Sequence, residues 1–181
     1  MSRTRIVFSG SGGQGIITAA IVFAESAVLF EGLNAVQTQS YGAAARGGSS
    51  RADIILSEHK INYPMVNQPN ILVCLTQESY SVYAPTIRPG GLLLTDSRFV
   101  SIERKVDAVQ RELPMFETVM KNIGSSIVFN ICMLGALLGI TRLIKTESLL
   151  AGIHKRMGAS ALDLNQHAFE LGLELGRPFA E

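Results

Sequence analysis

Apolar residues first gather in Arg5 to Ser9 (RIVFS), a run of strand length, and the repeat then changes. Ile17, Ala20, Ile21, Ala24 and Val28 recur at three- and four-residue spacing, which is one face of a helix. The spacing predicts a helix over about residues 14–31, with Gly32 in the place of a left-handed C-cap. A β-like segment follows at Asn34 to Ser40, then small residues at 41–49 (YGAAARGGS), a stronger strand at Ser50 to Ser57 and a turn at Glu58-His59-Lys60. A second alternation comes next. Ile71 to Leu75 reads as a fully buried strand, residues 77–84 as a short helix, Pro89-Gly90-Gly91 as a turn, and Leu92 to Thr95 as another strand. Lys105 to Val109 predicts one further short strand.

From Pro114 the pattern is helical. Thr146 is placed to cap a helix whose apolar face is Leu149, Leu150, Ile153 and Met157, with Lys155, Arg156 and Gly158 at its end. Ser160 and Asp163 form a capping-box pattern opening the stripe Leu164, Ala168, Leu171, Leu175. Strands separated by helices define an α/β chain: a three-layer α/β/α sandwich with a Rossmann-like, mostly parallel sheet and C-terminal helices. The 181 residues suit a single domain over 1–181.

Composition narrows the function. Apolar residues make up 47% and charged residues 17%, a thin charged cover that predicts surface buried against partner chains. A net charge of +1 without Lys/Arg runs leaves no footprint for nucleic acid. Cys74 and Cys132 each lie inside an apolar run and read as small hydrophobes; there is no CxxC or HxxxH spacing and no metal site is expected. The opening Met-Ser-Arg-Thr-Arg leads into a strand pattern rather than an apolar leader, so a cytoplasmic location is expected. Ile127 to Ile140 falls short of the ~20 residues of a bilayer span and predicts a buried or interface helix, with no membrane span.

Two loops carry candidate chemistry. Gly10, Gly12 and Gly15 satisfy G-x-G-x-x-G between a strand and a helix, where glycine lets an anion approach free amides at the helix start. The same spacing also serves plain strand-to-helix packing. The expected second strand ends Val36-Gln37-Thr38-Gln39-Ser40 without the acid that holds a dinucleotide ribose, and no Lys-Ser/Thr follows the glycines as in a P-loop. Arg46 keeps an NADP-type alternative open. In the second loop, Arg46 is a bidentate donor flanked by glycines. In a doubly wound sheet both loops leave strands at one edge, so they are expected to be neighbours and to form one anion-binding patch. His59, His154 and His167 frame no nucleophile, and Asp96 stands where either a catalytic acid or a strand-end turn residue can stand.

The run Ile6-Val7-Phe8-Ser9-Gly10-Ser11-Gly12-Gly13-Gln14-Gly15-Ile16, followed by Gln39-Ser40-Tyr41-Gly42, Arg46-Gly47-Gly48-Ser49 and Ala52-Asp53-Ile54-Ile55, resembles the gamma subunit of the 2-oxoacid:ferredoxin (acceptor) oxidoreductases. The likeness covers about residues 5–175 and is greatest to the 2-oxoglutarate type, although Ala43 and Ala44 depart from the commoner Gly-Pro-Glu form. It implies a complex that converts 2-oxoglutarate and coenzyme A (CoA) to succinyl-CoA, CO2 and reduced acceptor. Thiamine diphosphate, Mg and iron-sulfur clusters would reside in partner subunits: thiamine-binding alpha and beta chains and a ferredoxin-like delta chain, with ferredoxin or another acceptor served through the complex. CoA would be the co-substrate. This chain would hold no cofactor and no catalytic residue of its own. Gly10, Gly12, Gly13, Gln14 and Gly15, with Tyr41, Arg46, Gly47 and Gly48, would form loops that contact a CoA phosphate or a partner subunit. The alternatives are a gamma subunit for pyruvate, a branched-chain 2-oxoacid or indolepyruvate, and an independent NAD(P)-binding protein.

Overall fold

Strand β1 (Thr4–Ser11) runs into the glycine loop and helix α1 (Ile16–Glu31), which starts two residues later than its periodicity predicts and ends at the left-handed Gly32. Strands β2 (Asn34–Tyr41) and β3 (Ser49–Ser57) follow, then β4 (Ile71–Cys74), α2 (Gln77–Tyr83), β5 (Gly91–Asp96) and β6 (Ala108–Leu113). The helices α3 (Met115–Asn122), α4 (Phe129–Thr141), α5 (Thr146–Met157) and α6 (Leu162–Gly176) complete the chain. The computed structural model describes residues 3–41, 49–103 and 105–180.

The six strands form one sheet in the order β2-β3-β1-β4-β5-β6. β1, β4, β5 and β6 are parallel neighbours, whereas β3 is antiparallel to both β1 and β2. The mostly parallel α/β sheet expected from the alternation is therefore present, with one reversed strand inserted. Only seven residues separate Tyr41 from Ser49, too few for the crossover a parallel neighbour requires, so β2 and β3 pair as an antiparallel ribbon.

The two faces of the sheet are clad unequally. Ile6, Phe8, Ile54, Leu56, Val73 and Leu94 point into the larger core with α1, α3, α4, α5 and α6. Val7, Ile55, Leu72, Cys74 and Leu93 point the other way, into a smaller core closed by Val66, Tyr80, Ala84, Ile87 and Val100. α4 is buried along Phe129 to Ile140, which accounts for the long apolar run as a core helix. Among the described residues no helix is long and apolar enough to cross a membrane.

Several helix ends differ from expectation. Lys145 rather than Thr146 is the N-cap of α5, and the carboxylate of Glu31 caps that helix from the end of α1: its Oε1 accepts the Lys145 N–H at 2.9 Å and the Ser148 hydroxyl at 2.6 Å. These bonds hold Glu31 below the ordinary glutamate range. α6 starts after a short 3₁₀ turn, with Ala161 as N-cap and no side-chain cap, so the Ser160/Asp163 pattern does not form a capping box. β6 starts three residues and ends four residues later than the segment predicted for it, stopping at Leu113 before Pro114, which cannot extend a strand.

Candidate functional site at the end of β1

At the C-terminal end of β1 the glycine loop is built around Gln14. Its Oε1 accepts the Ser11 N–H at 2.8 Å, and its Nε2 donates to the Leu75 carbonyl at 3.0 Å, just past the end of β4. A Cβ on Gly10 would collide with Gln14 Oε1, so the first glycine is what lets the glutamine fold back. Gly13 (φ 90) and Gly15 (φ 72) sit in the left-handed region that glycine adopts freely. Gly15 is also the N-cap of α1: its carbonyl accepts Asn130 Nδ2 of α4 at 3.3 Å, and a Cβ there would come within 2.5 Å of that nitrogen. The loop is thus latched to β4 through Gln14 and to α4 through Asn130, while Gly12 and Gly13 remain exposed. Asn130 and Leu75 belong to the site only through folding; nothing in their local sequence marks them.

Gln14→Ala is expected to remove both latch bonds, lower stability by about 1–3 kcal/mol and speed amide exchange at Ser11 while α1 stays formed. Hydrogen exchange and urea unfolding of the variant read both effects; unchanged protection at Ser11 counts against the latch.

The second loop opens at the same end of the sheet. In the register of the three strands Gly10 pairs with Ser50, and Ser50 with Tyr41, so the ends of β1 and β2 share one row. They are not adjacent. β3 stands between them and sets the two ends about 10 Å apart by strand spacing. This insertion leaves the two loops flanked by paired residues, because Ser49, which follows the second loop, pairs with Ser11 at the start of the first. It also removes the geometry of a dinucleotide site, in which the ribose-binding strand lies directly beside the glycine-loop strand. Arg46, Gly47 and Gly48 lie outside the described residues, and Tyr41 is described by its backbone alone.

Other polar groups at this end hold backbone in place. Thr76 caps α2 through a reciprocal pair with Ser79, whose N–H donates to Thr76 Oγ1 at 3.2 Å. Buried Asp96 accepts the Arg98 N–H on Oδ1 at 2.9 Å and the Phe116 N–H on Oδ2 at 2.7 Å, joining the end of β5 to the start of α3. Burial raises its carboxyl above the ordinary aspartate range against the opposing pull of these bonds. Asp96 is therefore a strand-end turn residue. Arg51, on the thinly covered face, pairs with Asp53 at 2.6 and 3.0 Å, donates to the Val66 carbonyl at 3.1 Å and stacks 4.8 Å from the centre of the Tyr83 ring.

The cysteines lie in different cores, Cys74 on one face of the sheet and Cys132 on the other. Burial pushes their thiols up to about 11 and about 12, which suits packing rather than nucleophilic chemistry. Among the described residues no group of three His, Cys, Asp or Glu side chains could hold a metal ion.

The family pattern for pyruvate ferredoxin/flavodoxin oxidoreductase matches residues 5–175. The chain is 38% identical over 177 residues to the 2-oxoglutarate synthase subunit KorC of Methanocaldococcus jannaschii, covering 97% of this chain and 95% of that protein. The keto/oxoacid ferredoxin oxidoreductase gamma subunit from Geobacter sulfurreducens superposes with a TM-score of 0.90 at 33% identity, over 100% of both chains. The 2-oxoglutarate:ferredoxin oxidoreductase from Magnetococcus marinus shares the fold, with a TM-score of 0.86 at 23% identity; 98% of this chain matches 32% of that one. With its glycine-loop strand, its reversed third strand and a match along nearly its whole length, the chain belongs to the pyruvate ferredoxin/flavodoxin oxidoreductase family.

Proposed function

We propose that this chain is the gamma subunit of a 2-oxoglutarate:ferredoxin (acceptor) oxidoreductase, a complex that converts 2-oxoglutarate and CoA to succinyl-CoA, CO2 and reduced acceptor. The observation that carries the reading is whole-length kinship with a 2-oxoglutarate synthase subunit, joined to a sheet end at which Gln14 and Asp96 are engaged in holding backbone. An iron-sulfur cluster does not fit this chain: its two thiols are buried on opposite faces of the sheet. The clusters, the thiamine diphosphate and its Mg accordingly belong to delta, alpha and beta partners. The thinly clad face supports docking of those partners, because Tyr63, Met65 and Val82 are each more than half exposed in the segments that cover it.

Within the complex the two loops at the sheet end contact either a CoA phosphate or a carboxylate of a partner subunit. Exposed Gly12 and Gly13, and an α1 N-terminus with no side-chain cap and no acidic residue in its first turn, leave amides free for an anion, and Arg46 adds a guanidinium. The test is reconstitution with the alpha, beta and delta chains of the same organism. This chain alone turns over no 2-oxoacid; the assembled complex reduces ferredoxin with 2-oxoglutarate and CoA. A preference for pyruvate, a branched-chain 2-oxoacid or indolepyruvate overturns the substrate assignment, and micromolar binding of NADH or NADPH to the isolated chain overturns the subunit reading. Arg46→Ala leaves the isolated fold within about 0.5 kcal/mol of the parent but weakens subunit docking or raises the CoA requirement. Unchanged assembly and unchanged CoA dependence in that variant remove Arg46 from the site.

A further inference from the structure

The two edges of the sheet are built differently. β6 carries Arg111 and Glu112 and runs straight into Pro114, devices that keep an open edge from pairing. β2 has none of them. Its eight residues, Asn34 to Tyr41, include no charge and no proline, and they pair with β3 residue for residue without a bulge. Thr38, Gln39 and Ser40 are exposed on this outer strand.

Beside it, on the heavily clad face, the last turns of α1 expose Val28 (44%), Leu29 (50%) and Phe30 (43%). Val28 and Leu29, with Ala24, Ala35 and Gln37, line a groove of about 440 Å³ between the helix and the strand.

We propose that β2 is a dimerisation edge on which a second copy of this chain lays its own β2 antiparallel, joining two six-stranded sheets into one, with the two α1 helices closing over the seam through Val28 and Leu29. The argument for a second copy is self-complementarity. A two-fold axis brings a strand against itself, so any net charge on it would repel its own image. β2 is neutral, and Gln37, Thr38, Gln39 and Ser40 are each both donor and acceptor, able to pair with their own kind. An axis perpendicular to the sheet keeps like faces together, so Ala35 and Gln37 of both copies lie on the α1 side and the exposed apolar shelf meets its counterpart. Of the charges beside the groove, Glu25 is paired with Arg156 at 3.4 Å, and Lys155 lies on the helix side of the groove, off the β2 strand that forms the seam. Because the strands run oppositely, the two Tyr41 ends point away from each other.

Light scattering of the full-length chain over about 1–100 µM is expected to show a concentration-dependent dimer. The double variant Gln37→Lys/Thr38→Lys gathers like charge on the seam and weakens the dimer at least ~tenfold, as does Gln37→Glu/Thr38→Glu. Mixing the two variants restores pairing as a heterodimer. Neither position is buried, and matching circular dichroism and thermal unfolding of both variants with the parent establish that they fold. A chain that stays monomeric over the whole range overturns the proposal, including the case in which a different subunit takes this edge. So does a dimer that survives both double variants, or a mixture of the variants that fails to pair.

Discussion

Gly172→Val is expected to leave little folded protein. α4 and α6 pack as parallel neighbours in which Gly135 and Gly139 of one face Gly172 and Gly176 of the other. A Cβ on Gly172 would run into the carbonyl oxygen of Cys132, with Cys132 C at 2.8 Å and Ala136 N at 2.9 Å behind it. All three obstacles are backbone atoms and cannot rotate away. The helices would have to separate, and a gap of even ~0.5–1 Å forfeits a quarter to a half of each dispersion contact along the seam. Overpacking a core costs about 1–3 kcal/mol where side chains can yield; here the loss should be about 3 kcal/mol or more, a large share of the ~5–15 kcal/mol that holds a domain folded. Urea unfolding measures it. Glu174→Val, exposed on the same helix, is the control and should stay within about 0.5 kcal/mol of the parent. A Gly172→Val protein within about 1 kcal/mol of the parent would mean that the helices are not held at this separation.

Asp96→Ala is expected to be nearly as damaging. Its two oxygens accept the Arg98 and Phe116 N–H groups, and alanine strands both donors where β5 meets α3. At about 1–3 kcal/mol for each unsatisfied donor, and less for the one nearer solvent, the loss should be about 2–4 kcal/mol. The pH dependence has a definite sign. Burial raises the folded carboxyl above its value of 3.8 in the unfolded chain, so the folded state holds the proton more tightly. The stability linked to this titration is fully present below the unfolded value and is lost as pH rises through the folded one. The gap between parent and Asp96→Ala should therefore widen as pH falls from about 7 to about 4. Equilibrium unfolding at several pH values tests this, and a gap that narrows on acidification contradicts the assignment.

The sequence by itself determined the elements whose signal is local. Ile71 to Leu75 and Leu92 to Leu94 are apolar without interruption because β4 and β5 are covered on both faces, and that cover writes itself into the residue types. The three- and four-residue repeat of α1 and the left-handed Gly32 fixed that helix, and the glycine loop with its long downstream companion carried the family. Weakly buried β6 left a poor alternation, and it was displaced by three residues at its start and four at its end.

Tertiary structure alone decided which strand separates β1 from β2. Period and propensity do not encode strand order, and only the pairing of β3 with both strands set the ends of β1 and β2 two strands apart while bringing Ser49 beside Ser11. It also decided what the polar residues do. Gln14 reaches Leu75 across 61 positions, Asn130 reaches Gly15 across 115, and Glu31 caps a helix 114 positions away. Gly135 and Gly139 lie in a helix apolar all round, where no polar face marks a contact side, so the close approach of α4 to α6 was invisible until the two were packed. The division follows the range of the forces: dihedral preference and burial period act over a few neighbours, whereas hydrogen-bond partners and steric fit belong to atoms that only the folded chain brings within reach.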